Sequence, residues 1–223
     1  NNAGELLDFL DKNKVTVDLV ELFITGLYWR EASCINKSTG KWVGSVLQHE
    51  SLRDKMLDVL VALATKPKHP YNAHKLNCYL ESFPMPKRDL IWSEYIRNQE
   101  NSGTIHKLVN WIETFWSRGI TDDYAEMYIV ILSWVLTSTN RPLRDRATRC
   151  LYYLGRKHPY LLFDATLKSV KINDPYIPER MFAASYGVVM ALHYSKEIPY
   201  FNRKFLKSFA QKTELPFDKD INC

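Results

Sequence analysis

The residues that could do chemistry in this chain are present, but their spacing is wrong for most of it. Ser38-Thr39-Gly40-Lys41 approaches a phosphate-binding loop, which needs a glycine five residues before its Gly-Lys and a Ser or Thr after it. Those positions hold Ile35 and Trp42, so no backbone cradle forms and no nucleotide site is expected. His49, His69, His74, His106, His158 and His193 are scattered. His69 and His74 stand five apart across Pro70, not at the i, i+4 interval that places two ligands on one helix face. Cys34, Cys78, Cys150 and Cys223 form no C-x-x-C pair, so neither a zinc site nor a redox motif is expected. A Gly-x-Ser-x-Gly elbow is missing too. The expectation is a chain without catalysis, cofactor or metal.

The arginines are patterned. Leu52-Arg53-Asp54-Lys55-Met56 runs on to Val59, Leu60 and Leu63, and Leu143-Arg144-Asp145-Arg146-Ala147 runs on to Cys150, Leu151 and Leu154. Apolar residues fall at i, i+4, i+7, i+8 and i+11 in both, the stripe of a helix buried on one face. A degenerate third copy is Glu179-Arg180-Met181-Phe182-Ala183, followed by Tyr186, Gly187 and Met190. Arg144 and Arg180 are 36 residues apart, a spacing typical of stacked helical hairpins. A position that repeats with the fold points to a repeated packing need, so Arg53, Arg144 and Arg180 are read as structural. They should bond a carboxylate or the carbonyls at a helix end, because an unpaired buried charge is costly.

Two other features suit binding. Basic residues gather at Arg141, Arg144, Arg146, Arg149, Arg156 and Lys157, and again at Arg203, Lys204, Lys207 and Lys212. A net charge of +5 over 223 residues is too small to make nucleic acid the leading partner, so this remains the alternative. Trp111, Phe115 and Trp116 share one segment, with Tyr152, Tyr153 and Tyr160 further on. Any of these left exposed would anchor a protein partner. The candidate partner-binding residues are Trp111, Trp116, Arg146, Arg149 and Tyr153.

The elements that must position them read as helices. The pattern predicts helices over residues 5–10, 17–33, 45–65, 88–98, 104–117, 123–137, 142–155, 159–169, 178–194 and 199–211. Asp123 and Glu126 have capping-box spacing, and Pro142, Pro159, Pro178 and Pro199 suit first-turn positions. No segment alternates as a strand would. Only 8 glycines also disfavour a turn-rich β sandwich. The fold expected is all-α, a HEAT-like α-solenoid of stacked helical hairpins. Its parts are an N-terminal helical block (1–66), an irregular Pro-rich connection (67–87) and a C-terminal HEAT-like block (88–223).

Hydrophobic content of 46% with 25% charged residues is ordinary for a globular chain. No run reaches the roughly 20 apolar residues that span a bilayer, so no membrane partner is expected. The dispersed cysteines favour a reducing, cytoplasmic setting, although Asn36-Lys37-Ser38 fits a glycosylation sequon. The chain opens on Asn1-Asn2 and ends at Cys223, and is read as a segment of a longer protein.

The run from Ile131 through Leu143-Arg144-Asp145-Arg146-Ala147-Thr148, with Asn173-Asp174-Pro175-Tyr176-Ile177-Pro178-Glu179-Arg180 and on to Gly187, resembles a segment of the long helical regions of large bacterial STAND-type NTPases. These include the Avs antiviral group. The likeness covers about 60 residues, Ile131 to Met190. It implies the helical-repeat sensor or scaffold part of such a protein, with ATPase and effector outside this chain and oligomerisation through those other parts. The implied partner is a phage protein. None of the matched positions belongs to the family's ATPase motifs, so the resemblance carries over no catalytic residue.

Overall fold

The computed structural model describes residues 17–99 and 102–194. The expected helices over 5–10 and 199–211, Pro199, Cys223 and the basic group Arg203, Lys204, Lys207 and Lys212 lie outside the described residues. Among the described residues every regular element is helical. The chain divides into two compact units, Asn1–Leu108 and Val109–Cys223.

In the first unit, α1 (Val17–Trp29) and α2 (Lys37–Gln48) both pack on α3 (Glu50–Ala64). Asn36 starts α2 with a capping box: its side chain accepts from the Thr39 amide at 3.0 Å, while the Thr39 hydroxyl accepts from the Asn36 amide. Two of the four orphan amides of a helix start are satisfied this way. The sequence pattern joined residues 45–65 into one helix. Instead His49 is extended (φ −91°, ψ 111°) and separates α2 from α3. The apolar faces explain the break, because Val43, Val46 and Leu47 of α2 and Leu52, Met56 and Leu60 of α3 are all buried, and two short helices at an angle bury both sets.

The Pro-rich stretch also differs from expectation. It contains α4 (Ala73–Glu81), capped by Asn72, whose side chain accepts from the Lys75 amide at 3.3 Å. Ala73, Leu76 and Leu80, at i, i+3 and i+7, are buried against α3. The prolines sit just outside this helix, where they punctuate rather than break it. Next come α5 (Met85–Arg88), a π-helical turn (Asp89–Ser93) and α6 (Glu94–Asn98). Tyr95 is buried and donates its hydroxyl to Asp58 at 2.8 Å, and the Gln99 amide donates to the same oxygen at 2.9 Å. Burial first, then the Asp58 charge, holds the Tyr95 hydroxyl well above its ordinary pKa, so it stays a donor.

The helix α7 (Thr104–Phe115) contains the division between units. In the second unit α8 (Asp122–Val135), α9 (Arg141–Lys157), α10 (Pro159–Ser169) and α11 (Tyr176–Tyr194) pack on one another. Thr121 occupies the N-cap of α8 with no side-chain cap bond. The capping box expected at Asp123 is therefore not formed. Asp122 and Asp123 instead lie in the first turn, where a carboxylate favours the helix dipole, and Asp122 meets His158 at 2.5 Å. Asn140 caps α9 through the Leu143 amide at 3.2 Å.

Leu143, Ala147, Cys150, Leu151 and Leu154 are all buried, as their stripe requires. Burial also pushes the Cys150 thiol up to about 12, so it behaves as a small hydrophobe. The third copy is turned on its axis. Ile177, Met181, Ala184, Val188 and Leu192 face the core of α11, whereas Tyr186 is 67% exposed and Ala183 is exposed. Gly155 is tightly surrounded: a Cβ there would lie 2.4 Å from Leu162 and 2.8 Å from Val188. A methyl group there would force the Leu162 and Val188 side chains to shift.

Candidate functional site: an aromatic groove

Three arginines define the frame. Arg53 and Arg144 are each the fourth residue of their helix, and each reaches back to a carbonyl six residues earlier. Arg53 donates to Leu47 at 3.0 Å, and Arg144 donates to Ser138 at 2.9 Å. Both bonds close the corner between consecutive helices: Leu47 offers a carbonyl of the last turn of α2, which has no intrahelical amide, and Ser138 one from the connection between α8 and α9. The Arg144 guanidinium also lies 5.1 Å above the Tyr176 ring. The position six before Arg180 is the buried Asp174, which accepts from the Tyr176 amide at 3.0 Å. Arg180 turns instead to Asp145, beside the second arginine, at 2.7 Å. Arg141 approaches the same carboxylate at 3.7 Å.

The basic cluster of α9 is therefore largely engaged within the protein. Arg146 bonds Glu113 at 2.5 Å and also Asn110, and Arg156 donates to the Tyr152 hydroxyl at 3.1 Å. Arg149 and Lys157 are exposed.

Beside α7 and the start of α8 lies an open groove of about 570 Å³. Trp111 and Phe115 come from one helix, Tyr124 and Tyr128 from the other. The rings are in mutual contact: Trp111 lies 5.5 Å from Phe115 and 5.3 Å from Tyr128, with tilted planes. Trp111 and Tyr124 are 41% and 45% exposed, which is unusual for such large apolar groups packed together. The Arg118 guanidinium sits 4.5 Å above Phe115. Gly119, with φ of 76°, turns the chain at the groove's lip. A side chain there would be strained in this left-handed conformation.

Of the five candidate partner-binding residues, Trp111 lines the groove. Trp116 and Tyr153 do not, and stack on each other at 4.9 Å with planes 10° apart. Arg146 is held by Glu113, and Arg149 is exposed on α9. The sequence reading missed Arg118, Gly119, Tyr124 and Tyr128. Tyr128 is buried, as its apolar run suggests, and borders the groove through its contact with Trp111, whereas Tyr124, one turn earlier on α8, is exposed. Among the described residues no group of His, Cys, Asp or Glu could hold a metal, and no helix is long and apolar enough to cross a membrane. Comparison with protein-family models, curated proteins and solved structures returns no match.

Proposed function

We propose that this chain is a protein-binding helical-repeat segment, the sensor or scaffold part of a larger STAND-type antiphage NTPase. On this reading its hairpins stack in a HEAT-like manner, and the working environment is the cytoplasm. The observation that carries protein binding is the groove. Large aromatics with part of their surface in water and one cation at the edge form the composition of an interface centre. An aliphatic or aromatic side chain of a phage protein would seat between Trp111 and Tyr124, with a carboxylate of that partner against Arg118. The repeated corner bond of Arg53 and Arg144 supports the repeat architecture. The sequence likeness from Ile131 to Met190 supports the family. No reaction is proposed for the chain.

The test is co-elution with a panel of phage portal and terminase proteins on size exclusion. One panel member should co-elute with the wild-type chain and fail to do so with the Trp111→Ala/Tyr124→Ala double variant. No co-elution across the panel speaks against the reading. Nucleic-acid binding is the alternative, and the exposure of Arg149 and Lys157 favours it. Affinity for duplex DNA would then fall steeply with salt, because each phosphate contact releases counterions. A flat salt response ends it.

A further inference from the structure

A second concavity lies in the first unit, between α2 and α4 over Leu60 of α3, with a volume of about 230 Å³. It exists because α2 carries Gly40 and Gly44, four residues apart and so on one face, where side chains would otherwise fill it. A Cβ added at Gly44 meets nothing within 4 Å, and one at Gly40 meets only the Tyr71 hydroxyl at 3.9 Å. The lining is apolar at Val43, Leu47 and Leu76, and polar at three points only: Tyr71, Lys75 and Tyr79. The Tyr79 hydroxyl is buried and has no hydrogen-bond partner. Nearly all buried polar atoms in folded proteins are bonded, and one that is not calls for an explanation. Burial also raises the Tyr79 pKa, which keeps the hydroxyl a donor. The Arg53 charge acts against this rise, and exposed Lys75, one turn before Tyr79 on α4, places a cation at the cleft.

We propose that this cleft binds a small organic carboxylate with a compact apolar body, of the size of one aromatic ring with a short arm. An apolar cavity of about 150 Å³ is enough to hold benzene. The additional space here suits a ring plus a head group. The ring would lie against Val43, Leu47 and Leu76, and the carboxylate would accept from the Tyr79 hydroxyl and pair with the Lys75 ammonium. A charge-assisted bond to a buried hydroxyl is stronger than one between neutral groups, so an acid should be preferred to the corresponding alcohol. This site is independent of the aromatic groove.

Phenylacetate, titrated into the full chain and followed by calorimetry and amide chemical shifts, tests the proposal, with 2-phenylethanol as the neutral arm. Saturable binding of one phenylacetate per chain is expected, with shifts confined to α2 and α4 and binding to the alcohol at least fivefold weaker. Gly44→Leu should abolish binding while the melting temperature holds or rises, since leucine replaces an exposed helical glycine and fills open space. Tyr79→Phe, which keeps the ring and therefore the fold, should weaken phenylacetate at least fivefold. Its effect on 2-phenylethanol should be smaller. Absence of saturation, or wild-type affinity in either variant, overturns the assignment.

Discussion

Gly44 and Gly155 are the same residue in the same kind of helix, and they do opposite things. At Gly155 the neighbours have closed in until a single methyl group would collide with Leu162 and Val188. At Gly44 nothing has closed in, and the missing side chain leaves a cleft. The difference is one of regions. The α9–α11 core of the second unit uses a glycine to bring helices together, and the α2–α4 face of the first uses glycines to keep space. A helical glycine weakens its helix in either place, so each needs a reason, and only the neighbours say which reason applies. Close packing transmits the effect of a substitution, whereas a surface cleft absorbs it.

The largest effect belongs to the closed region. Leu151→Ala should cost about 2–5 kcal/mol in chemical unfolding, since Leu151 is fully buried in the stripe of α9 and its removal leaves a cavity. Under half a kcal/mol would mean the core is not as tight as its glycine implies. Next, Gly155→Ala should destabilise by about 1–3 kcal/mol through overpacking, in spite of alanine's better helix propensity. Its counterpart Gly44→Ala should stabilise by up to about 1 kcal/mol. Equal signs for the two substitutions would erase the comparison.

The arginine corners should give smaller changes. Arg144→Ala removes the bond to the Ser138 carbonyl and the Tyr176 stacking, together worth about 1–2 kcal/mol. Arg180 is 24% exposed and its partner Asp145 44%, so water screens that pair and Arg180→Ala should cost under about 1 kcal/mol. Thermal melts of the two variants check this order, and a larger loss at Arg180 would reverse it.

The smallest effect is pH-dependent and belongs to the first unit. His69 is 7% exposed, and its Nδ1 accepts from the Tyr71 amide at 3.1 Å. Burial, assisted by the nearby Lys66 charge, holds its pKa below the ordinary value of 6.5. Below that value the unfolded chain binds the proton and the folded one resists it. Stability from this group is therefore complete above pH 6.5 and is lost as pH falls towards the lower folded pKa. The midpoint of unfolding should drop between pH 7 and pH 5, and His69→Gln should flatten that drop. An unchanged slope in the variant would assign the pH effect elsewhere.

These contrasts also show which parts of the molecule can be read from residue order. The stripes of α3 and α9 are local periodicities, and both faces are buried as their spacing demands, apart from half-buried Val59. The repeated arginine makes the same bond at Arg53 and Arg144 only; Arg180, at the matching position of the third copy, turns to Asp145. The break at His49 carried no Gly or Pro to announce it. α4 was hidden among prolines that lie outside its turns. The third copy keeps the arginine and the alanine of the motif while its buried face rotates, which Ile177, Ala184, Val188 and Leu192, outside the aligned positions, signal. Both concavities were illegible. Nothing in the order of residues separates exposed Tyr124 from buried Tyr128, one turn later on the same helix, and a glycine pair does not say whether a neighbour approaches it.

The central claim, that the aromatic groove is where a partner protein docks, is tested most directly by comparing two exposed aromatics of the same unit. Tyr160 is 65% exposed and does not line the groove; Trp111 does. With a co-eluting partner in hand, calorimetry should give Trp111→Ala an affinity loss of at least about thirtyfold, the scale of an interface hot spot of about 2 kcal/mol. Tyr160→Ala should bind within about twofold of wild type. Equal affinities for the two variants, or a loss confined to Tyr160→Ala, would contradict the account.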